Sequence, residues 1–275
     1  MASFLVVPQW QGSGSSRAMR LVDGAEAIRG DLPSGSTKVV EVPLEAGDAQ
    51  GSGVLRLTAI AAVRDRVAQE IPRMAGPVIT VGGDCGVELG AVGSIADSHV
   101  AVVWFDAHPD LNTPDSSPSG AFGGMVLRTL LGEGPAELVP AHALSPERVV
   151  LAGVRSFDPA EDEYIAGAGL SVISPADVSA ESLVEAVVAT GATSVYIHVD
   201  LDVLDPADIE GLAAPQPFGV RATALVEAIR ALATRFPLAG AGIAAFAPAD
   251  AAAAVSDMPT VLRIIGALTT RAATP

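Results

Sequence analysis

The sequence predicts an α/β fold, a single-domain three-layer αβα sandwich with a mainly parallel sheet. Three observations carry this. Short aliphatic runs alternate with helix-period segments along the whole chain, the pattern of strands joined by helical crossovers. Apolar residues make up 49% of the chain but aromatics only 4%, so the core must be built from Ala, Val, Leu and Ile, as in strands buried on both faces. No fixed-period repeat or linker divides the 275 residues, and the Gly/Ser-rich patches at 12–16 and 115–124 are only loop-length. Residues 1–275 therefore read as one domain.

The expected strands are FLVV (4–7), KVVEV (38–42), PVITV (77–81), VAVVWF (100–105), RVVLAGV (148–154), LSVI (170–173), SVYIHVDLD (194–202) and LAGAGIAAF (238–246). Helices are expected near 16–30, 54–71, 86–96, 121–132, 159–168, 180–190, 221–235 and 254–271. Ser52, Ser174–Pro175 and Ser179 stand where capping residues would open three of the helical segments.

Charge and composition exclude several function classes. Sixteen basic against 32 acidic residues give a formal charge of −16, with no Lys/Arg cluster to bind phosphates, which argues against nucleic acid and anionic membranes. A single cysteine cannot form an internal disulfide. The N-terminal MASFLVVPQWQGSG has no basic stretch ahead of its apolar run and reads as a first strand rather than a signal peptide. Apolar stretches are broken by Gly, Pro or charge before the ~20 residues a membrane crossing needs, so a cytoplasmic protein is expected.

In open parallel sheets, ligands bind beyond the carboxyl ends of the strands. Three such ends carry ligand-type side chains. In VVWFDAHPDLNTP (102–114) an aliphatic strand runs straight into Asp106, His108 and Asp110, followed by Asn112. Charge left unpaired there is costly, and a cation removes the cost. In SVYIHVDLDVLDP (194–206), His198, Asp200 and Asp202 alternate with Val199 and Leu201, which places all three on one face of a strand. Adjacent buried carboxylates repel unless a metal bridges them or one takes a proton. Asp205–Pro206 reads as turn chemistry.

The third end, VGGDCGVE (81–88), holds Asp84 and Cys85 after paired glycines. Taken alone, Cys85 is a small buried hydrophobe and Gly82–Gly83 a tight turn. Beside the other two ends, Cys85 becomes a sixth candidate ligand. Four carboxylates and an imidazole can hold two divalent ions, and mostly oxygen donors favour a hard ion such as Mn²⁺. A metal pair ~3.5–4 Å apart can activate a shared water toward an electrophilic carbon, so a dinuclear metal hydrolase is expected. A nucleophilic Cys85 would need a nearby base, and His108 is better explained as a ligand. His99 and His142 precede strands and read as surface residues.

The motifs GGDC (82–85), DAHPDLN (106–112), GVRSFDPAE (153–161) and HVDLDVLDP (198–206) resemble those of the arginase/agmatinase (ureohydrolase) family. That resemblance implies a three-layer αβα fold and two manganese ions activating a bridging hydroxide, which attacks the guanidinium carbon of arginine-like substrates. It implies Asp106 and Asp200 as bridges, His108 and Asp202 completing one metal site, and Asp110 with Cys85 the other. Asn112, Ser119 and Asp158 match positions that hold the amino-acid end of the substrate, with Glu161 supporting them. His198 matches no ligand of the usual pattern. It is expected either to orient Asp200 or to relay protons in place of the family's loop histidine.

Three positions depart from the family pattern. Cys85 replaces a ligand histidine, Gly123 stands at the loop histidine, and Ala245 stands at the glutamate that grips the guanidinium. Without that glutamate a guanidinium loses a charge-assisted partner worth ~1.5–3 kcal/mol. The thiolate adds negative charge, lowers the Lewis acidity of its ion, and makes Zn²⁺ or Fe²⁺ stronger competitors. A variant of the family, the N-hydroxy-arginine hydrolase of cycloserine biosynthesis, is similar in the cysteine, the histidine matching His198 and a GGMVL loop (123–127), although it keeps the gripping glutamate. A hydroxyguanidine is less basic than a guanidine and suits a less acidic metal pair. The resemblance implies a small-molecule substrate and assembly into trimers or hexamers. A last helix ending near Ala272 without an extended tail keeps a monomer among the alternatives.

Overall fold

A computed structural model describes residues 2–97 and 99–270. In chain order its elements are β1 (Ser3–Val7), α1 (Met19–Asp31), β2 (Thr37–Val39), α2 (Leu57–Glu70), β3 (Val78–Gly82), α3 (Glu88–Gly93), β4 (Val100–Phe105) and α4 (Val126–Leu130). There follow β5 (Val149–Ala152), α5 (Pro159–Ala168), β6 (Ser171–Ile173), α6 (Ala180–Ala189), β7 (Ser194–Asp200), α7 (Ala222–Arg235), β8 (Leu238–Ala244) and α8 (Ala251–Leu268). Every expected strand and helix has a counterpart, with ends shifted by one to several residues: α8, for example, opens three residues before the expected 254.

The eight strands form one sheet in the order β2-β1-β3-β8-β7-β4-β5-β6, and every pairing is parallel. Helices cover both faces. Buried side chains of α1, α6, α7 and α8 pack on one face, and those of α2, α3 and α4, with α5 at the margin, pack on the other. Central strands such as β4 are buried at every residue, which is why they read as unbroken aliphatic runs. The chain leaves β3 and crosses two strand positions to reach β4; β7 and β8 later fill that gap. The carboxyl ends of β3, β8, β7 and β4 thus stand side by side at a switch in strand order, the place such sheets bind ligands.

Two local expectations differ. Ser52 does not cap α2: its hydroxyl bonds the carbonyl of Ala49 and accepts from Val54 N–H, closing the preceding loop, and Arg56 opens the helix with φ 60°. Ser179 does cap α6, accepting from Ser182 N–H at 3.1 Å, and Ser174 precedes a short 3-10 turn, Pro175–Asp177. By length and mean hydropathy (1.4), α8 could cross a membrane, yet half of it is buried against the rest of the fold. The helix closes at Leu268, and Ala272 lies outside the described residues.

Candidate metal centre

The end of β3 is built for close backbone approach. Gly83 N–H donates to the carbonyl of Val7, and Asp84 N–H to that of Gln9. A Cβ on Gly83 would fall 1.9 Å from the Gln9 carbonyl oxygen, so glycine is required by contact rather than by φ. Asp84 accepts from Gln9 Nε2 (2.8 Å), Gly12 N–H (2.9 Å) and Gly86 N–H (2.8 Å), which ties the 10–14 loop to the strand end. Burial raises its carboxyl to about 6. Cys85, next in line, opens the 3-10 turn Cys85–Val87 that feeds α3.

The ends of β4 and β7 interlock. His108 N–H donates to Asp106 Oδ1 (2.7 Å), Ala107 N–H to Asp202 Oδ1 (3.0 Å), and Asp202 N–H to Asp200 Oδ1 (2.7 Å). His108 Nδ1 lies 3.1 Å from Asp202 Oδ2 and 3.5 Å from Asp106 Oδ1. Asp202 is not on the strand face expected for it: β7 stops at Asp200, and the 3-10 turn Leu201–Val203 swings Asp202 back toward His108. Arg155 holds that turn, its guanidinium donating to the carbonyls of Asp202, Val203 and Leu204. Asp110 takes a left-handed conformation (φ 53°), tolerated by aspartate, and the chain then runs on to Leu111, whose N–H donates to Glu161 Oε1 (2.9 Å).

Four carboxylates, one thiol and one imidazole are thereby gathered at three strand ends, all but His108 buried. Burial, with repulsion from Asp106, pushes Asp110 well above the carboxylate range; burial and Asp202 do the same to Asp200. Asp106 rises to about 6 through burial and Asp202. Burial, then Asp200 and Asp110, drive the Cys85 thiol up, and its Sγ donates to Asp200 Oδ2 at 2.9 Å. Burial alone would lower His108, but its bonds to Asp106 and Asp202 lift it to about 12. Burial would raise Asp202, yet His108 outweighs it and holds Asp202 below its ordinary value. Such a set is stable only when protons or cations neutralise it.

A cavity of about 240 Å³ opens over this set. Its wall includes Cys85, Asp106, His108, Asp110, Asn112, Asp158, Glu161, Asp200 and Asp202, so the structure brings together nine residues singled out in the sequence. Ser119 is not in the wall; it lies exposed, accepting from Ala121 N–H. Asn112 Nδ2 donates to Asp158 Oδ2 (2.7 Å), and Glu161 Oε2 accepts from Asp158 N–H (2.9 Å) as Asp158 opens α5. Glu161 therefore supports the other two rather than facing a ligand with a free oxygen. His198 lies beneath the wall, wholly buried. Its bond runs to Glu88, and the nearest candidate ligand carboxylate is Asp106 at 4.0 Å, so no hydrogen bond links it to Asp200, one of the two roles expected for it.

The donors fall into two groups whose ligand atoms all lie within 4.8 Å of one another: Asp106, His108 and Asp202 near the mouth, and Cys85, Asp106 and His198 below. Asp106 belongs to both, as a bridging ligand would. Asp110 Oδ2, buried in the same wall, has no hydrogen-bond partner among the described residues. This set fits a pair of divalent cations, with mostly hard oxygen donors and one soft sulfur.

A family model described as the arginase family matches residues 22–262. The chain belongs to the arginase family. The arginase of Staphylococcus aureus (strain MRSA252) is 31% identical over 192 residues, covering 64% of this chain and 63% of that protein, so the match spans less than two thirds of the relative's length. Over the whole fold, the arginase of Bacillus caldovelox superimposes with a TM-score of 0.84 at 26% identity, covering 97% of each chain. The Entamoeba histolytica arginase solved with L-ornithine superimposes with a TM-score of 0.85 at 24% identity, again covering 97% of each.

Against the arginase family pattern, Gly123 and Ala245 are both occupied by backbone contacts. Gly123 N–H donates to the Gly12 carbonyl (2.8 Å), and Ala245 N–H, at φ 67°, donates to the Gly83 carbonyl (2.7 Å). With Gly12, Gly14, Gly124, Ala121, Ala213 and Ala214 they give the cavity a wall of small side chains. Sequence reasoning missed Glu88, Arg155 and Gln216, whose Nε2 lies 3.4 Å from His108 Nε2. The available signal for Glu88 was a lone acid inside the apolar stretch GVELGAVG.

Proposed function

We propose that the chain is a single-domain dinuclear metal hydrolase that cleaves a C–N bond of a guanidino, N-hydroxyguanidino or amidine compound. The observation that carries this reading is the convergence of four buried carboxylates, Cys85 and His108 from three strand ends on one cavity. Asp106 and Asp200 would bridge the ions, His108 and Asp202 would complete the one nearer the mouth, and Cys85 and Asp110 the deeper one. Manganese suits the oxygen donors, with Zn²⁺ or Fe²⁺ competing at the thiolate. When bound, such a pair supplies Lewis acidity and lowers the pKa of water toward neutrality.

The chain's own groups do the rest. The unpartnered Oδ2 of Asp110 accepts a proton from the attacking water and returns it to the leaving amine. Asn112 and Asp158, locked to each other and braced by Glu161, receive the polar tail of the substrate, with Ser119 reaching it from outside the wall. Ala245 itself, in the cavity wall, offers no carboxylate to a guanidinium. That favours a weakly basic substrate, and with Cys85 it supports a narrower reading: hydrolysis of N-hydroxy-arginine to hydroxyurea and ornithine.

The test is a screen of manganese-loaded protein against arginine, N-hydroxy-arginine, agmatine and simple amidines, detecting urea, hydroxyurea and ammonia. Turnover of the hydroxyguanidine at least about tenfold faster than of arginine, about 1.4 kcal/mol of discrimination, is expected. Two bound ions with no turnover of any member would identify a metal-binding family member without ureohydrolase activity and overturn the hydrolase reading.

A further inference from the structure

We propose that His198 is itself a ligand of the deeper ion, joining Cys85 and Asp106, and that Glu88 and Tyr196 are the positioning residues that aim it. The inference rests on the dinuclear reading above but not on turnover.

His198 sits on β7 with no exposed surface, two residues before Asp200. Its Nδ1 lies 3.1 Å from Oε1 of Glu88, which is equally buried, and Tyr196 Oη donates to the other oxygen of the same carboxylate. A carboxylate can only accept, so it fixes the imidazole proton on Nδ1 and leaves the lone pair on Nε2. That Nε2 has no hydrogen-bond partner among the described residues. Asp106 Oδ2 lies 4.0 Å from it, and Cys85, Asp106 and His198 bring ligand atoms within 4.8 Å of one another.

Three side chains with lone pairs to offer thus lie within 4.8 Å of one another, Cys85 through its sulfur, Asp106 through a carboxylate oxygen and His198 through an imidazole nitrogen. The gap is too wide for a hydrogen bond, and two ligand bonds of about 2.1 Å each span up to about 4.2 Å across an ion. Histidine ligands usually pass their second ring proton to a carboxylate, the relation Glu88 has to His198.

The surroundings hold this arrangement in place. The indole of Trp104 stacks on the imidazole with centroids 3.8 Å apart, blocking rotation of the ring. Across the sheet, His198 is paired with Gly242, where a Cβ would fall 1.5 Å from Glu88 Oε1. The missing side chain at 242 is what lets a glutamate from α3 lie over β8 and reach the histidine. Sulfur and imidazole on one ion also give the deeper position a softer donor set than the outer one, so Co²⁺ or Zn²⁺ should enter it in preference to Mn²⁺.

The test loads the full chain with Co²⁺ and counts hyperfine-shifted imidazole N–H signals by NMR on histidine-labelled protein, alongside metal content and calorimetric titration. Two bound ions and two shifted imidazoles, from His108 and His198, are expected in the unaltered protein. His198→Gln should remove one of these signals and weaken the tighter ion at least about 100-fold. Glu88→Gln should weaken it about 10–100-fold while keeping both signals. Two bound ions with a single shifted imidazole in the unaltered protein would overturn the assignment of His198 alone, whether or not the variants fold. That result would leave His198 as a buried partner of Glu88 that touches no ion. Failure to bind any divalent ion would overturn the dinuclear reading, and this inference with it.

Discussion

The outer and inner halves of the site share Asp106 and, in the proposed centre, Asp200, but are held by different means. The outer half is braced from within: backbone N–H groups of Ala107, His108 and Asp202 fix the carboxylates, and His108, itself about 30% exposed, lies between two of them. The inner half is braced from outside, by Glu88, Tyr196 and Trp104, none of which touches the cavity. In the outer half the neighbouring carboxylates lift His108, whereas in the inner half burial and neighbouring carboxylates lift Asp200 and the Cys85 thiol. The difference teaches that one cluster of like charges can be made tolerable in two ways, and that each way leaves its own mark on metal choice and pH response.

The harshest way to break the comparison is to remove what the halves share. Asp106→Asn should strip both ions. Losing several kcal/mol of metal stabilisation should lower turnover by at least about 10³-fold, read from metal content and initial rates. If one ion remained at full affinity, the bridging role of Asp106 would be wrong. Changes confined to one half should separate them. His108→Ala should leave one ion per chain, and Cys85→His should keep two while raising the preference for Mn²⁺ over Zn²⁺ by about tenfold, a shift of about 1.4 kcal/mol. Unchanged selectivity in Cys85→His would show that the sulfur never touches an ion.

The mildest test is pH. Groups with raised folded-state pKa bind more protons folded than unfolded, so their stabilisation is full at low pH and is lost as pH rises. Asp106, lifted to about 6, acts between roughly pH 4 and 6; His108, lifted to about 12, acts above about pH 6.5. Asp202, held low, acts only below about pH 4 and in the opposite sense. Calorimetry of the chelated protein should therefore show a Tm that declines from pH 5 to 8, with ions flattening the slope. A Tm that rises over this interval would contradict the charge pattern.

The fold was legible because the central strands are buried on both faces and so appear as aliphatic runs, and the site because its candidate ligands follow those runs directly. Strand ends were less legible. SVYIHVDLD alternates like a single strand, yet the chain turns at Asp200, because Asp202 N–H is satisfied by Asp200 Oδ1 rather than by a neighbouring strand. Ser52 looked like a cap but spends its hydroxyl on the loop before the helix. Glu88 escaped notice because its meaning depends on a glycine 154 positions away, Gly242, and periodicity does not report contact between distant segments. The roles of His198 and Arg155 depend in the same way on what faces them across the sheet and across a turn.

The stacking of Trp104 on His198 gives the molecule an optical gauge of its own. Of the two tryptophans, Trp10 sits partly exposed beneath Arg56, while Trp104 is sealed in the sheet against the imidazole. A paramagnetic ion held by that imidazole would sit one ring away from the buried indole, close enough to quench it. The blue-shifted part of the emission thus reads the filling of the inner position directly, without label, substrate or turnover.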